Sequence, residues 1–397
     1  MILTLQTSTF TGYGGIPTYN RTMCRALNEL RRDNAMPVSR VLIANDQMVD
    51  VGRAAAGLPN LTLESFAGRR PKFVRRVFGA AMRDRIELLL IGHVNYAPLG
   101  RLMKRIQPGL RYGVMAHGVE VWSPLKGMKR RALQQADFVI SVSAHTKERL
   151  CEANGVQPER VYILPNSIGW DGTVEPVANV APAESKPSSS GGFKLLSVCR
   201  FHSGERYKGI ESVIESLPSG LARFGNLQYI VVGSGNDLER HRRLAAEKGL
   251  NGHVHFLGSV GEATLRRLYQ ECDVFVLPSA GEGFGIVYLE AMFYGKPVIA
   301  AESGAVSEVV SRDETGLLVE YGDAERLAEA ILRLGEDASL RRQLGAAGRQ
   351  RLESNFTFRQ FREKFQKIVL QELPLHAARA DAIDQAAITG EADGVAG

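Results

Sequence analysis

The sequence has no long apolar run. No stretch of eighteen or more apolar residues occurs in its 397 residues, and a helix needs about that many to cross a bilayer. The amino-terminal segment MILTLQTSTF has no basic residue ahead of its apolar part, which predicts a first strand and not a signal peptide. We therefore expect a cytoplasmic protein.

Cysteine is also scarce. The chain has four cysteines, with no CxxC pair and no spacing that is typical of a metal site. They are Cys24, Cys151, Cys199 and Cys272. This pattern excludes a disulfide framework and predicts free thiols in a reducing compartment.

Positive charge is unevenly distributed. Residues 1–180 carry 24 Lys and Arg against 14 Asp and Glu, a net charge of +10, whereas the remainder carries 25 against 29, a net charge of −4. A length of 397 residues suits two domains, and the asymmetry suggests that they have different partners. No helix-turn-helix, zinc-finger or RNP pattern is present, so we expect no nucleic acid among those partners.

Apolar, β-branched runs alternate with helix-length segments along most of the chain. The strand candidates before residue 170 are ILTLQTS, VLIAN, LLLIGHV, YGVMAHG, DFVISVS and VYILPNS, and those after it are FKLLSVCR, QYIVVGS, VHFLGSV, CDVFVLPS, PVIAAES and GLLVE. Such runs with helical crossovers predict parallel sheets covered on both faces. We predict an α/β protein with two Rossmann-like domains that face a central cleft.

The domain limits follow from changes in composition. We expect an amino-terminal Rossmann-like domain over residues 1–170, a Pro-, Ser- and Gly-rich linker over 171–192 and a carboxyl-terminal Rossmann-like domain over 193–355. An amphipathic helix over 356–373 and a mobile tail over 374–397 complete the prediction.

Two motifs follow strands of the first half. TGYGGIPTYN brings Gly14 and Gly15 directly after the first strand, where they allow a tight turn and a close backbone approach. The glycines do not match GxGxxG, which disfavours a nicotinamide fingerprint. MAHGVEVWSP places His117 after another strand, as an acid, a base or a donor to a sugar hydroxyl. A generic turn and a structural histidine are the alternatives.

A third motif, SVCRFHSGERYKG, carries Arg200 at a strand end and Lys208 eight residues later in a polar loop. An Arg fork and a Lys point charge that converge on one loop suit a diphosphate. The alternative is an exposed basic loop with no ligand.

The fourth motif, EGFGIVYLE, joins a buried strand to a short helix. Amides at the start of a helix attract an anion, yet Glu282 and Glu290 flank them. A carboxylate accepts hydrogen bonds from vicinal hydroxyls. The spacing therefore fits a nucleotide sugar, with the diphosphate over the helix start, the hexose toward Glu282 and the ribose toward Glu290. Ordinary acidic residues in a first turn are the alternative.

These motifs, together with SVSAHTKERL, PNSI and VVGSG, occur in the order found in glycosyltransferase family 4, which the chain resembles over about residues 1–370. The family comprises retaining nucleotide-sugar transferases of the GT-B fold. The resemblance implies that residues 1–170 form the acceptor domain and residues 193–355 the nucleotide-sugar domain. The ERYKG form is similar to that of bacterial polysaccharide mannosyltransferases, so GDP-mannose is the first expectation for the donor. A UDP-sugar donor, a nucleotide-sugar epimerase and a non-catalytic sugar-nucleotide binding protein remain alternatives.

The resemblance implies roles for individual residues. Arg200 and Lys208 match the pair that stabilises the departing diphosphate, and Glu282 matches the glutamate that holds the donor hexose. His117 matches a histidine at the centre of sugar transfer. Pro17 and Thr18 stand where an acidic residue is often found, which leaves the handling of the acceptor there open.

Further residues match positions that bind the donor. Glu290 matches the glutamate on the ribose, and Gly14 and Gly15 match a turn that closes over the donor. Phe256 to Gly258 match a region that recognises the base through its backbone. The amides expected to contact phosphate are those of Gly283, Phe284, Gly285, Ile286 and Val287.

Many sugar transferases hold a divalent metal with an Asp-x-Asp motif, and this chain has none. We expect neither a metal nor a cofactor, because Arg200, Lys208 and a helix start can stabilise the leaving diphosphate. The nucleotide sugar, GDP- or UDP-linked, is a substrate, and the acceptor is a saccharide or a lipid-linked molecule.

A basic segment bears on the acceptor. Residues 69–85 hold seven Lys and Arg and one Asp, with Phe73, Val77, Phe78 and Ala81 at helical spacing. One interpretation is peripheral contact with anionic lipid on the inner face of a membrane. The other is a helix whose apolar side packs on its own domain.

Overall fold

The computed structural model describes residues 1–11, 14–33, 37–168 and 192–373. The predicted linker, apart from Gly192, lies outside these residues, as do the predicted tail and Gly12 and Tyr13 of the Gly-rich turn. The chain forms two compact units. The first comprises Met1–Val142, Thr146–Pro165 and the chain from Phe358 onward, and the second comprises Ser143–His145 and Asn166–Thr357.

The first unit is built on a parallel sheet with strand order β3-β2-β1-β4-β5-β6-β7. Its strands are β1 (Ile2–Gln6), β2 (Ser39–Ile43), β3 (Leu61–Ser65), β4 (Leu88–Ile91), β5 (Arg111–Ala116), β6 (Phe138–Ser141) and β7 (Val161–Ile163). Leu5 lies between Leu42 and Ile91 of the neighbouring strands, and all three are buried. Burial on both faces explains why a central strand such as β4, with the sequence LLLI, is apolar throughout.

Helices connect these strands. They are α1 (Gly15–Asp33), α2 (Met48–Ala55), α3 (Arg70–Arg83), α4 (Ala97–Ile106), α5 (Gly127–Gln134) and α6 (Ala144–Asn154). Helix α3 is the predicted basic helix, and its Phe73, Val77, Ala80 and Ala81 are buried in the core of the first unit. The apolar side therefore packs on its own domain, as in the second of the two interpretations. The exposed residues of α3 are Arg70, Lys72, Arg75 and Arg83, together with Pro71 and Met82.

Strand β3 is missing from the strands that the sequence predicts. It lies at the edge of the sheet and pairs with β2 alone. Within β3 only Leu61 is buried, and the other four residues are partly or fully exposed. The segment LTLES therefore lacks the continuous apolar character that identifies the other strands.

The second unit has a six-stranded parallel sheet with order β10-β9-β8-β11-β12-β13. Its strands are β8 (Lys194–Val198), β9 (Gln228–Val232), β10 (Val254–Gly258), β11 (Val274–Leu277), β12 (Val298–Ala301) and β13 (Gly316–Val319). Its helices are α7 (Ile210–Phe224), α8 (Leu238–Glu247), α9 (Glu262–Glu271), α10 (Ile286–Phe293), α11 (Val306–Val309), α12 (Ala324–Glu336) and α13 (Ala338–Asn355). The prediction of two Rossmann-like α/β domains is confirmed.

Both sheets reverse their strand order at one point, between β1 and β4 in the first unit and between β8 and β11 in the second. Ligands of open α/β sheets bind beyond the carboxyl ends of the strands at such a point. The Gly-rich turn follows β1, the ERYKG loop follows β8 and EGFGIVYLE follows β11. The topology therefore brings the predicted motifs to the positions where each sheet can bind a ligand.

The final helix, α14 (Phe358–Glu372), belongs to the first unit although it follows the second in sequence. The guanidinium of Arg25 lies 3.9 Å from the centre of the Phe358 ring. Phe361 packs edge-on against Tyr19, with ring centres 5.6 Å apart. None of the helices in the described part of the chain is both long enough and apolar enough to cross a membrane.

Candidate active site

The central feature of the second unit is an ion pair between its two key loops. The Lys208 ammonium, from the loop after β8, donates to Oε1 of Glu282, from the loop after β11, at 2.7 Å. The side chains are only 16% and 12% exposed. Burial lowers the pKa of Lys208, but the charge of Glu282 and its hydrogen bond raise that pKa more, so the net shift is upward. Lys208 is therefore a cation at any physiological pH.

Gly209 explains how Lys208 comes to lie there. Its φ is +73°, and a Cβ at this position would lie 2.2 Å from the carbonyl oxygen of Pro278. Only glycine allows both this conformation and this approach. The backbone of the ERYKG loop therefore packs against the residues that follow β11, and the Ala280 amide donates to the Tyr207 carbonyl at 2.8 Å.

Arg200 is arranged differently from Lys208. It is 64% exposed and donates to Oε1 of Glu205 at 2.6 Å. The charges of Arg200, Glu205, Lys208 and Glu282 all act on the pKa of Cys199, which burial raises to about 12. The two predicted cations thus belong to one cluster of charges, and each is paired with a carboxylate of its own.

The loop between the two glutamates opens α10. Gly285 has a φ of +91°, and a Cβ there would collide with the Tyr288 ring at 2.4 Å. Phe284 is buried against Phe356, with ring centres 5.6 Å apart. The first amides of a helix have no acceptor within that helix. The backbone from Gly283 to Val287, and not its side chains, is therefore what this segment can offer an anion.

Glu290 lies inside α10 and has a partner that the sequence analysis did not identify. Its Oε2 accepts a hydrogen bond from the Tyr269 hydroxyl at 2.8 Å. Tyr269 belongs to α9 and is fully buried. Glu282 and Glu290 thus have different partners, one a cation and the other a phenol.

The predicted base-recognition segment lies at the carboxyl end of β10, an edge strand. Phe256 packs edge-on against Phe201, with ring centres 6.2 Å apart. The Gly258 carbonyl already accepts the Gly233 amide at 2.8 Å, and Gly258 has a φ of +67°. The segment forms the last three residues of β10 itself, at the end of the strand where ligands of parallel sheets bind.

In the first unit, His117 follows β5 and is held at two points. Its Nε2 lies 2.7 Å from the Gly92 carbonyl oxygen, and its backbone amide donates to Oε1 of Glu120. Because a carbonyl can only accept, Nε2 carries the proton, and the neutral ring has its acceptor at Nδ1. His93 lies beside it, and burial lowers the pKa of His93 more than the charge of Glu120 raises it.

The Gly-rich turn is anchored by a residue that the motif does not contain. Asp46, fully buried just after β2, accepts the Thr9 and Phe10 amides at 3.0 and 2.6 Å. Gly14 has a φ of +132°, and α1 begins at Gly15. A polar residue after a strand adjacent to β1 is the one sequence signal that points to Asp46.

In each unit, most of the predicted functional residues lie in the segments that follow parallel strands. The structure brings Lys208 to Glu282 and places Arg200 in the same charge cluster, and it gives Glu290 a separate hydrogen bond. Sequence patterns missed Tyr269 and Glu205 in the second unit and Asp46 in the first. The described residues contain no cluster of three or more His, Cys, Asp or Glu side chains that could hold a metal.

Comparison with known proteins identifies the family to which the chain belongs. The model of Glycosyltransferase Family 4 matches residues 13–169, and that of Glycosyl transferases group 1 matches residues 184–351. A GDP-mannose-dependent alpha-(1-6)-phosphatidylinositol monomannoside mannosyltransferase of Mycobacterium tuberculosis is 34% identical over 64% of this chain and 68% of its own.

A second relative is the GDP-mannose-dependent monoacylated alpha-(1-6)-phosphatidylinositol monomannoside mannosyltransferase of Corynebacterium glutamicum. It is 32% identical over 64% of this chain and 69% of its own. Among solved structures, Anabaena HepE in complex with UDP-glucose has a TM-score of 0.72 at 20% identity, covering 93% of this chain and 98% of its own. The ordered motifs, the two Rossmann-like units and these matches establish that the chain belongs to glycosyltransferase family 4 and is a hexosyltransferase of the GT-B fold.

Proposed function

We propose that this glycosyltransferase transfers mannose, with retention of anomeric configuration, from GDP-mannose to a lipid-linked acceptor. The observation that carries the proposal is the buried Lys208–Glu282 pair beside the start of α10. It combines a cation for a diphosphate with a carboxylate for sugar hydroxyls. Support for the donor and acceptor comes from the relatives named for GDP-mannose and phosphatidylinositol mannosides.

Lys208 can serve both groups at once. An ammonium has three N–H donors, and the bond with Glu282 uses one of them. The others are available to oxygens of the leaving diphosphate, whose negative charge grows as its bond to the sugar breaks. Arg200 adds a second cation, and the amides from Gly283 to Val287 add the positive end of α10.

The two carboxylates bind the sugars on either side of the diphosphate. Glu282 accepts hydrogen bonds from hydroxyls of the hexose, and Glu290 accepts hydrogen bonds from hydroxyls of the ribose. The bond from the anomeric carbon to the diphosphate breaks, a bond to the acceptor oxygen forms on the same face, and the acceptor proton passes to the diphosphate. His117 assists by accepting a sugar hydroxyl at Nδ1, and Gly14, Gly15 and Phe256 to Gly258 contribute backbone to donor binding. No step in this scheme requires a cofactor.

A lipid-linked acceptor also calls for an approach to the membrane. The exposed residues at the start of α3 include Arg69, Arg70, Lys72 and Arg75. Because the apolar side of α3 is used within its own unit, we propose contact with anionic headgroups through charge alone, on the cytoplasmic face of a membrane.

The function is tested by measuring which donor binds and which is used. The melting temperature is recorded with GDP, UDP, ADP and their sugars, because a ligand that binds the folded state raises its stability. Transfer from GDP-mannose and UDP-glucose to vesicles that contain phosphatidylinositol mannosides is then assayed. We expect stabilisation by GDP and transfer of mannose. Stabilisation by UDP with transfer of glucose would show that the donor is a UDP-sugar and not GDP-mannose. Binding without transfer would indicate a non-catalytic protein.

A further inference from the structure

Tyr269 makes a hydrogen bond that its surroundings protect. Its side chain is completely buried, and its hydroxyl lies 2.8 Å from Oε2 of Glu290. Burial raises the pKa of Tyr269 well above its ordinary value, and the charge of Glu290 raises that pKa further. The phenol therefore keeps its proton and always donates to the carboxylate.

The Tyr269 ring is also locked in place. It stacks on Phe275 of β11, with ring centres 5.6 Å apart and an angle of 28° between the planes. It also stacks on Tyr294, just after α10, with ring centres 6.1 Å apart and an angle of 14° between the planes. A hydroxyl on a ring with these two neighbours has a defined position, so the carboxylate oxygen that it holds has one too.

A fixed oxygen matters because Glu290 lies in a helix whose start is proposed to bind the diphosphate. An unrestrained glutamate rotates about three side-chain bonds, and ordering it on binding costs free energy. A carboxylate offers about four acceptor sites, and Tyr269 occupies one of them. Tyr269 can therefore orient the group without displacing sugar hydroxyls.

We propose that Tyr269 is a positioning residue for the ribose of the donor, and that through Glu290 it makes the site prefer ribonucleotides to 2′-deoxyribonucleotides. The inference rests on the proposed role of Glu290. Tyr269 contacts neither the diphosphate nor the hexose in this scheme. Its loss should weaken donor binding and sugar selectivity without removing the chemistry at Lys208.

A purely structural role would also be plausible for a phenol that joins α9 to α10. The two roles differ in one measurable quantity, which is the ratio of affinities for a ribonucleotide and its 2′-deoxy counterpart. A structural tie changes stability and leaves that ratio unchanged. A positioning residue changes the ratio, because only the ribonucleotide carries the hydroxyl that Glu290 is oriented to accept.

The test uses the full chain and isothermal titration calorimetry. Affinities are measured for GDP and 2′-deoxy-GDP and for UDP and 2′-deoxy-UDP, so that the result does not depend on the base. The variant is Tyr269→Phe, which keeps the stacked ring and removes only the hydroxyl. The matched control is Tyr229→Phe, since Tyr229 is fully buried in the same unit and its hydroxyl bonds to Ser197 at 2.7 Å. Glu290→Gln is measured as the reference for loss of the ribose contact itself.

We expect Tyr269→Phe to weaken ribonucleotide binding by about 3- to 10-fold, the effect of one net hydrogen bond, and to change 2′-deoxyribonucleotide binding much less. The control should keep the wild-type ratio. If Glu290→Gln loses the ribose preference and Tyr269→Phe retains it, the positioning role is wrong and Tyr269 is structural. If Glu290→Gln also retains the preference, or no nucleotide binds, the proposed role of Glu290 fails first and the inference fails with it.

Discussion

Lys208 carries its charge where water has little access, and Glu282 compensates for that burial. A buried cation is tolerated only beside an opposite charge, so the two residues depend on each other in the donor-free protein. In the proposed scheme the pair also prepares the site, because a cation that is already desolvated needs little reorganisation when charge develops on a leaving group.

Replacing Lys208 by Ala should therefore reduce kcat by about a hundredfold to a thousandfold, as the loss of one group that stabilises developing charge does. Steady-state kinetics with the donor identified by the melting screen measures this effect. Lys248→Ala, an exposed lysine of the same unit, is the control. Near-normal turnover of a folded Lys208→Ala protein would show that the leaving group is stabilised elsewhere.

At the scale of single residues, the sequence identifies candidate site residues but not the partners to which they are hydrogen-bonded. Arg200, Lys208, Glu282 and Glu290 were singled out because charged residues after apolar strands are uncommon and have recognisable spacing. Tyr269 was missed because it occurs 21 residues before Glu290, in a helix whose periodicity indicates only that one face is buried. A hydrogen bond across that distance leaves no pattern in a single sequence.

Among the elements, α14 is held to the first unit by an ion pair at its end. Glu372 is 6% exposed and accepts hydrogen bonds from Arg111 and from the Tyr162 hydroxyl, the latter at 2.7 Å. Burial lowers the pKa of Arg111, but the hydrogen bond and charge of Glu372 raise it more.

Glu372→Ala should lower the free energy of unfolding by about 1–3 kcal/mol, because it leaves a phenol and a guanidinium without their acceptor. The estimate stays below that for a fully buried pair since Arg111 is 40% exposed. Urea denaturation followed by fluorescence measures the change. Glu363→Ala, at an exposed position of the same helix, should alter stability little; equal losses in the two variants would contradict a specific anchor.

The basic side of α3 can be tested by reversing its charge. Lys72→Glu combined with Arg75→Glu should weaken binding to anionic vesicles by at least about thirtyfold, since each basic residue near such a surface contributes about 1 kcal/mol. Sedimentation with phosphatidylglycerol vesicles at low and high salt measures the affinity. The control is Lys364→Glu combined with Lys367→Glu, at two exposed positions on α14. It makes the same change in net charge and should leave the vesicle affinity nearly unchanged. Failure of the wild-type protein to bind at low salt would end the membrane proposal.

The elements differ in how far their sequences identify them. Continuous apolar strands such as β1 and β11 were predictable because both faces are covered. β3 was not, because its segment LTLES mixes polar with apolar residues, and four of its five residues are partly or fully exposed. The amphipathic pattern of α14 predicted a helix with a buried face, but no local signal says which unit supplies the partner surface.

Across the whole molecule, buried thiols make stability depend on alkaline pH. Burial raises the pKa values of Cys24, Cys199 and Cys272 from 9.0 to about 12. Their folded pKa values exceed the unfolded ones, so the associated stability is complete below pH 9 and is lost as the pH rises toward 12. Each thiol contributes a slope of at most about 1.4 kcal/mol per pH unit.

We therefore expect the melting temperature to fall steadily between pH 9 and pH 11. Differential scanning calorimetry across that range measures the fall. A protein with Cys24, Cys199 and Cys272 all replaced by Ala should lose less over the same interval. An identical pH profile for the two proteins would assign the alkaline loss to other groups.

Metal removal tests the chemistry of the complete enzyme. Because Lys208, Arg200 and the start of α10 supply the positive charge in the proposed scheme, EDTA should leave the transfer rate unchanged. Parallel assays with and without the chelator, using vesicles of fixed composition, measure this. A loss of activity that Mg²⁺ or Mn²⁺ restores would contradict the scheme.

The return of α14 to the first unit affects the order in which the protein is completed during synthesis. The strands of the first unit leave the ribosome early, yet Tyr19 of that unit packs against Phe361, which is translated after the whole second sheet. Domains generally fold as units while the chain emerges. Here all the strands of the second unit are synthesised before α14, so the unit that is begun first is completed last.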